Sequence, residues 1–376
     1  MEQNKMRIGI LDGFRALAIF FVILFHFFSR FAKPYYKEDL YPYASNYDYF
    51  RYGYLGVEFF FIISGFVIFF TLENTSNFSS FWKKRIIRLF PSMFFASIII
   101  FTFFLIFDFT NFSFSQKILD FITSITFIKP TLINNLFDSF FGIQLKLNYL
   151  NGSFWSLWVE IQFYLLASIV FFLNRLSFIR NIVFTSFFLV FFNLIAHNVG
   201  GSNILGLPYP KEFSLFYSKW FDDGFNLFNM LPFFTIGILF YLMFKNKKAN
   251  KKNTLFVKIA FILLVSFVFF FSKNIEEKLC FLMMFILFFI FIYYPNKLNV
   301  LDTKFFRKNG EASYFLYLIH ESIGVFIIVA LGNYFLPYGF VLPVLLILLF
   351  AYLSILYYDR IDLKVNKYLK NKFINK

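Results

Sequence analysis

Eleven positions separate Arg15 from His26 in the stretch LDGFRALAIFFVILFHF (11–27). On an α-helix that spacing is close to three full turns, so both side chains leave the same face, about 16 Å apart along the axis. One stripe therefore carries a permanent cation at one end. At the other it carries an imidazole able to exchange a proton near neutral pH. Charges inside an apolar helix cost a few kcal/mol on insertion scales, so they are rare without a purpose; the alternative is a flanking Arg that snorkels and a His at the far interface.

Four more stretches hold residues of the same kind. GYLGVEFFFIISGFVIF, starting at Gly53, places Glu58 about five residues from one end. GSFWSLWVEIQFYLL carries Ser156 and Glu160 four apart, on one helix face. Entering from the side where His26 lies, these helices would set His26, Glu58, Ser156 and Glu160 in one layer. A carboxylate beside a histidine holds its tautomer and raises its basicity, as a general base requires. In FWKKRIIRLFP, Arg85 and Arg88 are three apart at the expected start of a helix, with Pro91 suited to its first turn. With Arg15 they make a basic layer that suits a phosphorylated ligand; the same cations also serve to set topology. SYFLYLIHESIG holds His320 and Glu321 side by side. Adjacent helix positions diverge by about 100°, so these two are not expected to share one partner. His320 is either a hydrogen-bonded packing residue or part of the site. His197 is expected at an interface, without a role.

The elements that must position these residues are membrane helices. The chain of 376 residues is 59% hydrophobic, includes 69 Phe and has 15% charged residues; soluble domains average about 25% charged. Mean hydropathy is +0.67. A spanning helix needs about 20 mostly apolar residues, and ten segments qualify loosely: 8–29, 53–72, 89–109, 154–174, 178–197, 225–244, 254–272, 277–294, 311–332 and 337–358. The expectation is an all-α integral membrane protein of about ten transmembrane helices. With the N-terminus cytoplasmic, inner segments such as KNKKANKK (245–252) and the basic tail 359–376 hold roughly twice the Lys and Arg of the outer loops. Both termini are thus expected in the cytoplasm, and membrane orientation accounts for the net charge of +15 without nucleic acid. The link 110–153 contains ILDFITSITFI (118–128), too short to span and suited to the interface. A single cysteine, Cys280, excludes an internal disulfide, and three dispersed histidines make a metal site unexpected. Asp12 and Arg15 argue against reading the first apolar stretch as a signal peptide.

Five pieces in order, LDGFRALAIFFVILFHF, GYLGVEFFFIISGFVI, FWKKRIIRLFP, FWSLWVEIQFYLL and SYFLYLIH, resemble the acyltransferase-3 family of bacterial membrane O-acyltransferases. The most specific element is an arginine, ten intervening residues and a histidine, matched by Arg15 and His26. The resemblance implies a single acyltransferase-3 domain over 1–376 in the bacterial inner membrane. It would transfer an acyl group, usually acetyl from acetyl-CoA, to a hydroxyl of an envelope glycan. On that resemblance His26 is the catalytic histidine, with Glu58, Ser156 and Glu160 beside it. Arg15, Arg85, Arg88 and His320 fall to the donor side, with no permanently bound cofactor. Two departures stand out: Ile161 follows Glu160 where the family often has a second acid, and Glu321 and Ser322 follow His320 where a Pro is common. The alternative is a transporter or exporter of a glycan or lipid using intramembrane acids and histidines as a relay. The internal symmetry and broken helices typical of such proteins are not evident in the sequence. A scaffold subunit, with polar residues only joining helices, is the third reading.

Overall fold

The computed structural model describes residues 9–31, 41–43, 47–107, 117–199, 216–222, 224–225 and 227–374. Regular structure among the described residues is entirely helical. The principal helices are α1 (Gly9–Phe28), α2 (Gly56–Glu73), α3 (Phe78–Ile106), α4 (Ile118–Ile125), α5 (Pro130–Phe141), α6 (Trp155–Leu173) and α7 (Phe178–Val199). They continue with α8 (Leu227–Lys248), α9 (Leu255–Phe271), α10 (Ile275–Tyr293), α11 (Lys304–Phe335), α12 (Val341–Tyr357) and α13 (Leu363–Phe373).

Each of the ten expected segments coincides with a helix. Among the described residues, eight helices are long and apolar enough to cross a membrane. The other two differ for local reasons: α9 has 17 residues, and α10 opens on Glu276, Glu277 and Lys278. Their outward faces are apolar, as lipid requires of a spanning protein whose backbone is satisfied within helices; on α7, Phe184, Phe188 and Phe191 are all exposed.

Two boundaries depart from expectation. Helix α3 begins at Phe78, capped by Asn77 accepting from the Ser80 amide at 2.9 Å. It therefore starts eleven residues before the expected 89, and the basic run 83–88 is helical. Pro91 consequently lies in the helix interior, where it cannot donate to the carbonyl four residues back. The second lies at the end of the last expected segment, 337–358: helix continues beyond it, a π-helical turn, Tyr358–Asp362, leading into α13.

The chain folds into two compact units. The first comprises the described residues of Met1–Ile63, Leu242–Asn253 and Phe267–Lys376, and the second those of Ser64–Tyr241 and Thr254–Ser266. In the first, α1 lies so close to α11 that a Cβ added to Gly310 would sit 1.8 Å from the Asp12 carbonyl oxygen. Small residues permit this approach, which replaces the hydrophobic drive that lipid cannot supply. Phe14 packs against Phe59, Phe288 and Phe291 with ring centroids 5.2–5.9 Å apart. The turn Arg51–Leu55 is tied to the start of α10. There Tyr54 donates to Glu277 at 2.6 Å, and Asn274 donates to Tyr52 at 2.9 Å while also capping α10.

In the second unit, Phe163 stacks on Phe234 with centroids 4.0 Å apart, and Ser186 bonds Thr235 at 2.7 Å. The short α4 turns its polar side inward. Asp120 accepts the Asn148 amide at 2.8 Å and Ser124 accepts that of Leu150 at 2.9 Å, while Ile118, Leu119 and Ile122 are exposed. At eight residues it does not span. Most of the expected outer loop 198–224, and the side chain of His197, lie outside the described residues.

Candidate active site

His26 sits two residues before the end of α1, buried at 8% exposure, and α11 supplies its neighbours. On one side His320 Nε2 lies 3.2 Å from His26 Nδ1. On the other, Glu321 Oε1 lies 3.5 Å from His26 Nε2. Two consecutive residues thus flank one imidazole at both of its nitrogens, contrary to the expectation from their 100° divergence. The reason is that the ring's two nitrogens face different directions, so each neighbour meets its own nitrogen.

The bonding pattern fixes the tautomers by donor and acceptor bookkeeping. His320 Nδ1–H donates to the Tyr317 carbonyl at 2.8 Å, leaving its Nε2 an acceptor. His26 Nδ1 then faces two acceptors, the Val22 carbonyl at 2.8 Å and His320 Nε2 at 3.2 Å, so it carries the proton. His26 Nε2 is left with a lone pair, beside a carboxyl group able to stabilise the imidazolium formed when that lone pair takes a proton.

Glu58, in the first turn of α2, belongs to the same unit and is buried at 9% exposure. Its Oε2 has no hydrogen-bond partner among the described residues. Arg15, on α1, donates to Asp12 at 2.6 Å, one turn back. Those two charges partner each other, a pairing that their i, i+3 spacing signals.

The second unit holds Ser156, Glu160, Arg85 and Arg88. Ser156 is buried and donates to the Ser153 carbonyl at 3.2 Å. Glu160 Oε1 accepts from Ser64 on α2 at 2.8 Å, and also from the hydroxyl of Tyr164, one turn along α6. Tyr164 faces Arg85 in turn: the guanidinium lies 5.8 Å from its ring centroid and 5.7 Å from that of Phe81. Arg85 is buried and donates through Nη2 to Thr71 at 3.2 Å, while its Nε and Nη1 have no partner among the described residues. Arg88 is exposed. The expected arginine pair therefore divides into one buried fork with donors to spare and one surface cation.

Sequence reasoning named the residues but not their partners. His320 is expected among the arginines on the donor side, whereas it lies against His26; Glu321 is named in the sequence without a role, and Ser64 is not named at all. Tyr164 carried a signal in its i+4 spacing from Glu160. The others sit far away in sequence from the residues they touch.

Residues 8–358 match the model of the acyltransferase domain family. Among curated proteins, the chain is similar to the O-acetyltransferase OatA of Staphylococcus aureus strain NCTC 8325 / PS 47 and to that of strain COL. Each is 28% identical over 214 residues, covering 51% of this chain and 30% of the relative. The chain thus spans under a third of the length of these relatives. No solved structure matches it. With the family model covering nearly the whole helical membrane fold, the chain belongs to the acyltransferase-3 family.

Proposed function

We propose that the protein is an O-acetyltransferase of a bacterial inner membrane, moving acetyl from cytoplasmic acetyl-CoA to a hydroxyl of an envelope glycan. The observation that carries this reading is the His26 ring, with Nδ1–H committed to Val22 and His320 and Nε2 free beside Glu321. His26 Nε2 takes the proton of the acceptor hydroxyl as its oxygen attacks the thioester carbonyl. The Glu321 carboxylate stabilises the imidazolium while the tetrahedral oxyanion exists. Collapse of that intermediate breaks the carbon–sulfur bond, and the imidazolium returns its proton to the departing CoA thiolate. The O-acetyltransferase names of the relatives support acetyl as the transferred group and oxygen as its acceptor.

Arg85 is the residue best suited to the donor's phosphates. Its Nε and Nη1 are buried donors without a partner among the described residues, and phosphate oxygens accept from such donors. Arg15, bonded to Asp12, and the exposed Arg88 are secondary. In this reading both termini face the cytoplasm, following the distribution of Lys and Arg. The test is the O-acetyl content of surface glycans, by mass spectrometry. A deletion strain complemented with the native gene is compared with one complemented with His26→Ala at matched expression. Loss of an acetyl-sized mass in both the deletion and His26→Ala strains supports the reading. Acetylation that persists with His26→Ala rejects the histidine.

A further inference from the structure

Gln162 is the one buried polar side chain of α6 with both its amide nitrogen and its amide oxygen unpartnered among the described residues, at 8% exposure. Burying an amide without partners opposes folding, so such a group calls for a reason. Its place on the helix supplies one. Trp155, Trp158 and Gln162 stand at i, i+3 and i+7, a single stripe on α6. Both tryptophans are half-buried. The indole of Trp158 is pinned, its N–H donating to the Gly224 carbonyl at 2.6 Å and its ring 6.3 Å from that of Phe225. The stripe diverges from Glu160 and Tyr164, whose carboxylate and hydroxyl are engaged with each other.

From this geometry we infer a sugar-binding subsite on the Trp155–Trp158–Gln162 stripe, rested on the glycan-acceptor reading above. A pyranose ring presents apolar C–H faces and, at its edge, hydroxyls that both donate and accept. The indole rings match the faces, and a single amide offers a donor and an acceptor to neighbouring hydroxyls. A site built in this way spends folding stability on an amide that becomes satisfied only when the hydroxyls arrive. Gln162 therefore touches the acceptor and takes no part in proton transfer.

The sign of the stability change separates this role from a structural one. Replacing an unpartnered buried amide with an apolar side chain of similar size is neutral or stabilising. Gln162→Leu is therefore expected to melt at or above the wild-type temperature in detergent and to bind acetyl-CoA with unchanged affinity. In membrane vesicles supplied with labelled acetyl-CoA and the host's own envelope glycan, it should slow the appearance of O-acetyl groups by about 30-fold, the worth of two neutral hydrogen bonds. Trp155→Ala, which removes a stacking face, should slow it as well, whereas Trp220→Phe, outside the stripe, should not. Wild-type rates with Gln162→Leu overturn the subsite, and so does a Gln162→Leu protein that melts lower, because the amide would then have a structural partner. If the deletion strain keeps its O-acetyl groups, the function itself falls and the subsite with it. If deletion removes them and Gln162→Leu vesicles acetylate at the wild-type rate, only the subsite falls.

Discussion

The two histidines and the glutamate of the first unit lead to a graded prediction. His26 is the proton acceptor, and removing a positioned general base costs about 10²–10⁴ in rate. His320 contributes one of two acceptors that hold His26 Nδ1–H, at 3.2 Å against 2.8 Å for the Val22 carbonyl. Without His320 the shorter bond survives and so does the tautomer. The loss is then one neutral hydrogen bond, about 0.5–1.5 kcal/mol, or about 2- to 13-fold in rate. Glu321 acts on a charge that exists only after His26 has taken a proton, at 3.5 Å. A hydrogen bond to a charged group is worth about 1.5–3 kcal/mol, so Glu321→Gln should cost about 10- to 160-fold. The assay is the initial rate of acetyl transfer from labelled acetyl-CoA in membrane vesicles of each variant, normalised to folded protein. The expected order of loss is His26→Gln first, Glu321→Gln second and His320→Ala third. A His320→Ala loss as deep as that of His26→Gln would refute the reasoning, since it would make His320 the base or the sole keeper of the tautomer.

Arg85→Ala should weaken acetyl-CoA binding by about 10-fold or more, because a buried guanidinium loses charge-assisted bonds. Arg88→Ala, on an exposed cation, should change it by less than about 5-fold; equal effects in a direct binding titration would contradict the assignment. Gly310→Ala drives a Cβ into the α1 backbone at Asp12. It should cost about 1–3 kcal/mol by overpacking, read as a lowered melting temperature in detergent; unchanged melting would mean the helices are not in such close contact. Burial raises the carboxyl pKa of Asp120, so the folded state holds its proton more tightly than the unfolded chain. Stability is therefore greatest at acid pH and falls as pH rises through the ordinary Asp range towards the raised value. Asp120→Asn keeps an oxygen for the Asn148 amide and removes the charge. It should gain melting temperature over wild type at about pH 7 and lose that advantage near about pH 4; a gap independent of pH would refute the burial argument.

Hydropathy and spacing were enough to place all ten apolar segments on helices, because a helix in lipid satisfies its backbone within its own residues and needs no distant partner. For the same reason Arg15 and His26, on one helix, were recognisable as a pair from their spacing alone. The early start of α3 was not legible, since its first turns are polar and basic, and a cap at Asn77 rather than apolarity sets the boundary. Nor could the sequence show that Glu321 and His320 reach His26, or that Ser64 reaches Glu160. These contacts join residues 294, 295 and 96 positions apart. Which helices adjoin, and at what rotation, is decided by side-chain packing along their whole length. The close seat of Gly310 on α1 is one such contact, and it sets where α11 lies against the histidine. The chemical groups are local properties of the chain; their tautomers and partners exist only once the helices have packed.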